Sequence, residues 1–308
     1  MADRPLCLLA LNGGRIRGLS ELVILEEIMS RIKHDLDMDE DPIPADFFDM
    51  IGGTSTGGFV CAVRKHDVQA TAGPTLFRTY RVRRNATYNC TIWEAFRATS
   101  AAPPYFDPIS IGDPGEEEIF IDGGLGYNNP TEQLLDEARR QFPERKVACI
   151  VSIGTGMARV IHFPDSPKTS PKKLIDALKN MATEADTTAE RVQVRFQDTQ
   201  DTYFRFNVNR GLEDLMLDEW KNLGKVRGYT SAYLNQSVVS SHVDVVVKAL
   251  VASKVVPRSD GSTTMVSISG RASKVDDSHK QPPMLSWHTS DPIPDFQHKI
   301  EDLARSRT

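Results

Sequence analysis

The chain has 308 residues, 40% hydrophobic and 26% charged, which is enough to bury one large core or two small ones. Its net charge of −5 gives no reason to expect nucleic acid as a partner and argues against strong attachment to anionic lipid. No apolar run is long enough to span a bilayer, and the four cysteines lack metal-ligand spacing. We therefore expect a globular cytoplasmic protein with reduced thiols.

The order of the predicted elements indicates an α/β fold. Leu6–Leu11 is a compact apolar run that predicts a buried parallel strand. The loop Asn12–Gly18 follows, and apolar residues at helical spacing then predict a helix over Leu19–Ile32. The remaining predicted elements are strands over Phe47–Ile51, Glu118–Ile121, Val147–Ile153 and Tyr203–Val208, and helices over 129–140, 171–184, 211–220 and 237–250.

The composition divides the chain into three parts. Residues 6–156 carry the strand and loop motifs, and residues 157–256 are richer in helical patterns. We expect both parts to belong to one domain over residues 1–256. Residues 257–308 are rich in Ser, Asp, Lys and Pro with few apolar side chains, which predicts a polar, disordered tail.

The segment Gly53–Gly57 has the G-x-S-x-G pattern of a serine nucleophile. It follows an apolar strand, and its glycines allow a sharp turn that presents the hydroxyl of Ser55 at a helix N-terminus. Because the bare pattern is common by chance, a plain glycine-rich loop is the alternative. The strand in front of it and the second pair of glycines behind it favour the nucleophile.

A serine nucleophile needs a base, because its own hydroxyl is barely ionised at neutral pH. The chain has seven histidines, His34, His66, His162, His242, His279, His288 and His298. Each is better explained as a surface or structural histidine. Asp122 follows the strand Glu118–Ile121 and precedes Gly123 and Gly124, so we expect it at the same edge of a parallel sheet as Ser55. A desolvated aspartate in contact with the hydroxyl can act as the base, and an Asx-turn or helix-capping aspartate is the alternative.

The loop Asn12–Gly18 offers backbone donors. Attack on an ester creates an oxyanion that needs two or three fixed donors, which a glycine loop at a helix N-terminus supplies. The alternative is a nucleotide-binding loop. That alternative is weak, because Arg15 stands where the G-x-G-x-x-G pattern needs its second glycine.

Five segments agree with one known family. In chain order they read LALNGGRIRGL, FFDMIGGTSTGG, IWEAFRATSAAPPYF, FIDGGLGYNNP and VSIGTG. Over about residues 6–156 the chain thus resembles the patatin-like phospholipase family, in particular its fungal-type members. The resemblance implies a three-layer α/β/α fold with a mostly parallel central sheet and a helical C-terminal half. It also implies that one segment supports the site, with Arg97, Ser100, Pro103 and Pro104.

The resemblance also implies a function. It implies hydrolysis of fatty-acyl esters of lipids through an acyl-enzyme, with Ser55 as nucleophile, Asp122 as base, and neither a metal nor another cofactor. The backbone N–H groups of Gly13, Gly14 and Arg15 would form the oxyanion hole. The expected partner is a lipid substrate, with transient contact to a membrane surface, while the oligomeric state stays open.

The chain departs from the family in its glycine loop. The family loop reads D-G-G-G-x-R-G, whereas this chain has Asn12 for the aspartate and Arg15 for the third glycine. A backbone N–H survives both substitutions. If position 15 needs a positive φ, however, arginine would be strained there by roughly 1–3 kcal/mol.

A second departure follows the serine. In the family a long helix runs from the nucleophile, whereas here Gly58 is followed at once by Phe59–Val63. Either the helical segment is missing, or Phe59–Val63 forms a shortened helix. Its β-branched and aromatic residues favour a strand. Loss of the helix would remove the helix dipole at Ser55.

Three functions therefore compete. The leading hypothesis is a lipid acyl hydrolase, and the second is a catalytically impaired module that binds lipid or protein. The third is a Ser–His–Asp esterase with His242 as base. Chain order argues against it, because Ser55 follows only two predicted strands, fewer than the α/β-hydrolase fold places before its nucleophile.

Overall fold

The computed structural model describes residues 4–58, 61–65, 74–80, 90–102, 106–156, 184–212, 215, 220–257 and 263–265. The strands in these parts are β1 (Leu6–Leu11), β2 (Met50–Gly53), β3 (Cys61–Lys65), β4 (Thr75–Phe77), β5 (Ile109–Ile111), β6 (Glu118–Ile121), β7 (Val147–Ile153), β8 (Tyr203–Phe206), β9 (Val255–Pro257) and β10 (Thr263–Met265). The helices are α1 (Leu19–Asp35), α2 (Pro44–Phe47), α3 (Ile92–Thr99), α4 (Gly124–Tyr127), α5 (Thr131–Gln141), α6 (184–195), α7 (Leu223–Leu234) and α8 (Ser237–Lys254).

β1 lies at the centre of a parallel core. β2 pairs with one of its edges and β7 with the other, and β8 extends the core beyond β7, all in parallel. The whole of β1 is buried, as its unbroken apolar sequence predicts for a central parallel strand. The strands predicted over Leu6–Leu11, Glu118–Ile121 and Val147–Ile153 are confirmed with those bounds.

Both faces of the core are covered by helices. Alternate side chains of β1 point to opposite faces, so Cys7 and Leu9 pack on one side with α1, α7 and α8. Leu6 and Leu8 pack on the other side with Leu134 of α5 and with α6. The expected α/β fold of three layers, α/β/α, with a mostly parallel central sheet is therefore confirmed, and α6, α7 and α8 make the later part of the chain helical.

β6 runs antiparallel to its neighbours, which corrects the expectation that Asp122 follows a strand of the parallel sheet. β3 pairs with β2 where Cys61 faces Gly53 and then extends past the carboxyl edge of the core. β6 pairs with the far end of β3, where Ile121 faces Arg64. Because β6 runs back toward that edge, Asp122 still lies beside the carboxyl end of β2.

The described residues after Gly58, residues 61–65, form a strand. β3 begins at Cys61, so the interpretation of Phe59–Val63 as a shortened helix is wrong for its described part. A single 3-10 turn over Ser55–Gly57 stands where the family has a long helix. The β-branched and aromatic composition of Phe59–Val63 favoured a strand, and this is confirmed for its described residues 61–63.

Two other predictions need correction. The predicted strand Phe47–Ile51 is in part α2, which begins with Pro44 and ends at Phe47, and β2 starts only at Met50. The predicted helix 211–220 is not helical in its described residues before Trp220. Leu212 and Leu215 there are buried in the core, so their helix-like spacing reflects packing. The helix lies later, over α7, whose two glycines disfavour it locally.

The helix predicted over 171–184 falls outside the described residues except for residue 184. Most of the predicted tail also falls outside them, and its described part holds the short antiparallel pair β9–β10. The domain boundaries therefore stay predictions. Within the described parts of the chain, no helix combines the length and the apolar character needed to cross a bilayer.

Candidate active site

The turn after β2 presents Ser55. Thr54 is still extended, and Ser55 then takes a left-handed backbone conformation with φ of 53°. Gly57 N–H donates to the Thr54 carbonyl at 2.9 Å, and Gly58 N–H donates to the Ser55 carbonyl at 3.0 Å. Positive φ costs a non-glycine residue about 1–3 kcal/mol and persists only where the surroundings enforce it. A strained turn of this kind is typical of nucleophilic serines.

Close backbone contacts require glycine at both ends of this turn. A Cβ atom at Gly53 would lie 1.6 Å from the carbonyl oxygen of Gly57. A Cβ atom at Gly57 would lie 2.5 Å from the carbonyl oxygen of Asn12 in the neighbouring loop. The spacing of glycines in G-x-S-x-G therefore has a steric cause here, since neither position accepts a side chain.

The hydroxyl of Ser55 donates a hydrogen bond to Asp122 Oδ2 at 2.9 Å, although the two residues are 67 positions apart. Asp122 Oδ1 accepts a hydrogen bond from Gly124 N–H at 2.7 Å. The N–H of Asp122 donates to the Ala101 carbonyl at 3.0 Å. Both side chains are buried. The structure thus brings the predicted hydroxyl and carboxyl groups into direct contact.

Burial sets the proton affinity of this pair. Loss of water raises the pKa of Asp122 to about 6, and the hydrogen bonds from Gly124 and Ser55 together with the positive charge of Arg15 oppose the rise. The carboxyl group is therefore ionised at neutral pH, yet more basic than an exposed aspartate. General bases work best when their pKa lies near the working pH.

Thr99 fixes the backbone of the serine. Ser55 N–H donates to Thr99 Oγ1 at 2.9 Å. Thr99 ends α3, and a capping box between Thr91 and Glu94 fixes the start of that helix. Two residues later, Ala101 accepts the hydrogen bond from Asp122, so one segment positions both members of the pair. The sequence indicated this segment but not Thr99, because a threonine at a helix end is common.

The predicted oxyanion donors lie against the serine. A Cβ atom at Gly13 would come within 2.7 Å of Ser55 Cβ, so the loop backbone passes directly beside the nucleophile. In this structure Gly13 N–H donates to the Asn128 carbonyl, and Gly14 N–H donates to Thr56 Oγ1, each at 3.2 Å. Both are at the long end of the hydrogen-bond range. The sequence analysis missed Thr56 and Asn128 as partners of these amides.

Arg15 occupies the strained position that the family fills with glycine. Its φ is 51°, so the condition for strain at this residue is met. Its guanidinium lies 5.2 Å from the centroid of the Phe106 ring, within the distance for a cation–π contact. Its charge also lowers the pKa of Asp122. The side chain therefore affects the site although it replaces a glycine.

Buried polar side chains lie under the glycine loop, and they explain why residue 12 is an asparagine. Asn12 N–H donates to Glu21 Oε1 at 2.6 Å, and Asn12 Oδ1 accepts from Arg205 Nη1 at 3.2 Å. Arg205 also donates to Ser152 Oγ at 2.9 Å. Burial raises the pKa of Glu21 well above its usual value and lowers that of Arg205. An asparagine accepts the arginine bond without placing a second carboxylate beside Glu21.

The described histidines lie away from this site. His34 is exposed on α1, and His242 lies on α8 with its ring 6.4 Å from that of Phe204. The other five histidines fall outside the described residues. Among the residues described, no cluster of three or more His, Cys, Asp or Glu side chains suits a metal ion.

Fold and site together define a three-layer α/β protein with a buried Ser–Asp pair beside a glycine loop. A family model described as patatin-like phospholipase matches residues 63–135. Calcium-independent phospholipase A2-gamma of Oryctolagus cuniculus is 36% identical over 131 residues, which are 42% of this chain and 16% of that protein. Patatin-like phospholipase 1 of Plasmodium falciparum is 24% identical over an alignment of 296 positions, which covers 67% of this chain and 43% of that protein.

A further relative agrees with these matches. Phospholipase A I of Arabidopsis thaliana is also similar, at 42% identity over 65 residues, which are 21% of this chain and 5% of that protein. The chain is thus similar to patatin-like phospholipases, and the match to the family model covers residues 63–135. The alignment with the mammalian calcium-independent phospholipases A2-gamma spans about a sixth of the length of those proteins.

Replacing Asp122 with Asn is expected to stabilise the fold at about pH 7.5 but not at about pH 4. Because the pKa is raised, the folded state binds more protons than the unfolded chain between these limits. The free energy of unfolding of the wild type therefore falls as the pH rises toward 6 and beyond. Asn has no charge to bury, so it avoids a loss of about 3 kcal/mol.

Urea unfolding at both pH values measures this difference. Asp41→Asn is the control, because its side chain is 90% exposed and surface substitutions change stability little. An Asp122→Asn protein less stable than the wild type at the higher pH would contradict the costly burial of this carboxylate.

Arg15→Gly is expected to be more stable than Arg15→Ala. Both variants lose the guanidinium and its contact with Phe106, but only glycine adopts a φ of 51° without strain. The expected difference in unfolding free energy is about 1 kcal/mol. Denaturant titration of the two variants measures it, and equal midpoints would mean that position 15 is not left-handed.

Proposed function

We propose that this protein is a lipid acyl hydrolase that cleaves fatty-acyl esters through a catalytic dyad of Ser55 and Asp122. The observation that carries the proposal is the 2.9 Å hydrogen bond between the Ser55 hydroxyl and the Asp122 carboxylate in a buried site. A serine needs an adjacent base to become a nucleophile. Asp122 is in contact with the hydroxyl and has a pKa suited to that role.

The proposed reaction has two halves. Ser55 Oγ attacks the acyl carbonyl carbon while its proton passes to Asp122, giving a tetrahedral oxyanion. The oxyanion collapses to an acyl-serine ester, and the departing lipid alcohol takes the proton from Asp122. Water then attacks the acyl-serine ester and gives a proton to Asp122. The fatty acid leaves as Ser55 Oγ recovers that proton.

The oxyanion is proposed to bind the backbone N–H groups of Gly13, Gly14 and Arg15. Gly14 N–H now donates to a neutral hydroxyl, that of Thr56, at 3.2 Å. An anionic oxygen is a stronger acceptor than a hydroxyl. We therefore expect the oxyanion to replace the Thr56 hydroxyl as the acceptor of the Gly14 N–H. The closeness of Gly13 to Ser55 supports this placement.

The proposed substrate is an acyl lipid such as a phospholipid. The support is the match to the family model together with relatives that are named phospholipases. Such substrates lie in a membrane or another lipid aggregate, so we also propose transient contact with a lipid surface. A cytoplasmic location is proposed because Cys7, Cys90 and Cys149 are free thiols, as expected in a reducing compartment.

Ser55→Ala is expected to reduce hydrolysis of a chromogenic acyl ester by at least about 10³-fold, as removal of a serine nucleophile does elsewhere. His242→Ala is the control and should retain wild-type turnover, because His242 lies on α8 with its ring near Phe204. Initial rates of the purified proteins provide the measurement. Equal rates for Ser55→Ala and wild type would refute the proposal, and loss of activity in His242→Ala would favour a Ser–His–Asp esterase.

A catalytically impaired module that binds lipid or protein is the second candidate. One 3-10 turn follows Ser55, and both Gly13 and Gly14 amides already have partners. The alignment with the Plasmodium falciparum relative spans 296 positions but uses 67% of the 308 residues, so close to a third of its positions face no residue of this chain. Such a gap agrees with a missing segment. Wild-type protein that binds phospholipid vesicles without hydrolysing any ester would favour this candidate.

A further inference from the structure

Large apolar side chains are exposed on α3 and just beyond it. Ile92, Trp93 and Phe96 lie on the outer side of the helix, and Trp93 is 66% exposed. Phe106 is half exposed and follows the helix by a few residues. The inner side of α3 is buried, with Ala98 inside the protein. We name Ile92, Trp93, Phe96 and Phe106 the α3 patch.

Two arginines adjoin the α3 patch. The guanidinium of Arg97 lies 5.3 Å and that of Arg15 5.2 Å from the centroid of the Phe106 ring. Arg97 Nη2 donates a hydrogen bond to the Asp107 carbonyl at 2.6 Å. Its Nη1 is buried and has no hydrogen-bond partner among the described residues. Apolar rings beside guanidinium groups match the layered chemistry of acyl chains and phosphates at a bilayer surface.

The carboxylates near the α3 patch do not remove its similarity to the chemistry of a bilayer surface. Glu94 lies on α3 itself, but its carboxylate turns back to the Thr91 N–H at 2.7 Å and to the Thr91 hydroxyl at 2.9 Å. It therefore belongs to the helix cap. Asp107 follows Phe106 and adds one negative charge at the margin. In the described residues 90–102 and 106–107, Glu94 and Asp107 are the two carboxylates, and the helix cap engages Glu94.

The α3 patch is continuous with the candidate active site. Thr99, at the end of α3, accepts the hydrogen bond from the Ser55 N–H at 2.9 Å. Arg15, which lies beside Phe106, belongs to the glycine loop and acts on the charge of Asp122. A lipid that contacts the patch is therefore close to the dyad.

We propose that the α3 patch docks on the surface of a phospholipid bilayer, with Trp93 and Phe96 at the boundary between headgroups and acyl chains and with Arg15 and Arg97 facing phosphates. This inference rests on the proposed lipid acyl hydrolase function. Tryptophan favours that boundary because its ring has an apolar body and a polar N–H. Amphipathic helices bind there by burying one apolar face.

Trp93→Glu tests the proposal, because a charge at that boundary opposes docking. Leu22→Glu is the matched control, since Leu22 is an equally exposed apolar residue, 61% exposed, on α1. Co-sedimentation with vesicles of phosphatidylcholine and phosphatidylglycerol measures binding. Trp93→Glu should weaken binding by about tenfold or more, and Leu22→Glu should bind like the wild type. Equal binding of Trp93→Glu and wild type would overturn the proposal.

Two further measurements separate docking from chemistry. Hydrolysis of a monomeric, water-soluble ester should be the same for Trp93→Glu and wild type, whereas hydrolysis of vesicle phospholipid should fall for Trp93→Glu. Equal loss of both activities would overturn the proposal, because it would place the effect of Trp93 on the chemistry and not on docking. The Ser55→Ala variant should bind vesicles like the wild type. If no protein hydrolyses the soluble ester but binding still depends on Trp93, the proposed hydrolysis fails and the docking surface stands.

Size-exclusion chromatography tests whether the α3 patch instead binds a second copy of the chain. The proposal predicts that wild type and Trp93→Glu elute alike. A wild-type dimer that Trp93→Glu converts to a monomer, with vesicle binding unchanged, would assign the patch to self-association and overturn the proposal.

Discussion

The hydrogen bond between a buried hydroxyl and a buried carboxylate is the interaction on which this account depends. Burial raises the pKa of Asp122 to about 6, which makes the carboxylate more basic and also makes its charge costly to the fold. Gly124, Ser55 and Arg15 limit that cost through hydrogen bonds and charge. Sites that combine strain with buried charge commonly sacrifice stability for reactivity. The left-handed Ser55 and the buried Asp122 both fit this pattern.

The fold produces this contact by bringing three loops to one edge. Adjacent parallel strands β1 and β2 place the glycine loop and the serine turn side by side. β6 reaches the same edge from the opposite direction, because β3 extends past it and β6 runs back. The loops approach so closely that a Cβ atom at Gly57 would overlap Asn12 and one at Gly13 would overlap Ser55. α3 then fixes the position of the serine turn, because Thr99 at its end accepts a hydrogen bond from the Ser55 N–H.

The sequence predicted the elements whose signal is local. Leu6–Leu11 and Val147–Ile153 are continuous apolar runs, and such runs identify buried parallel strands. Motif spacing likewise indicated Ser55 and Asp122 as neighbours, and the structure has them in contact. The direction of β6 was not predictable, because alternation of side chains is the same in parallel and antiparallel strands. Partners such as Thr99 were missed because their role arises from tertiary packing.

The central claim is that the Asp122 carboxylate activates Ser55, and the most direct measurement is the rate at which a fluorophosphonate modifies Ser55 as a function of pH, followed by intact-protein mass. The account predicts that the rate rises to a plateau with a midpoint near pH 6, the pKa of Asp122. It also predicts that Asp122→Asn reacts slowly at every pH. Rapid modification of Asp122→Asn, or a wild-type rate that does not change around pH 6, would contradict the claim.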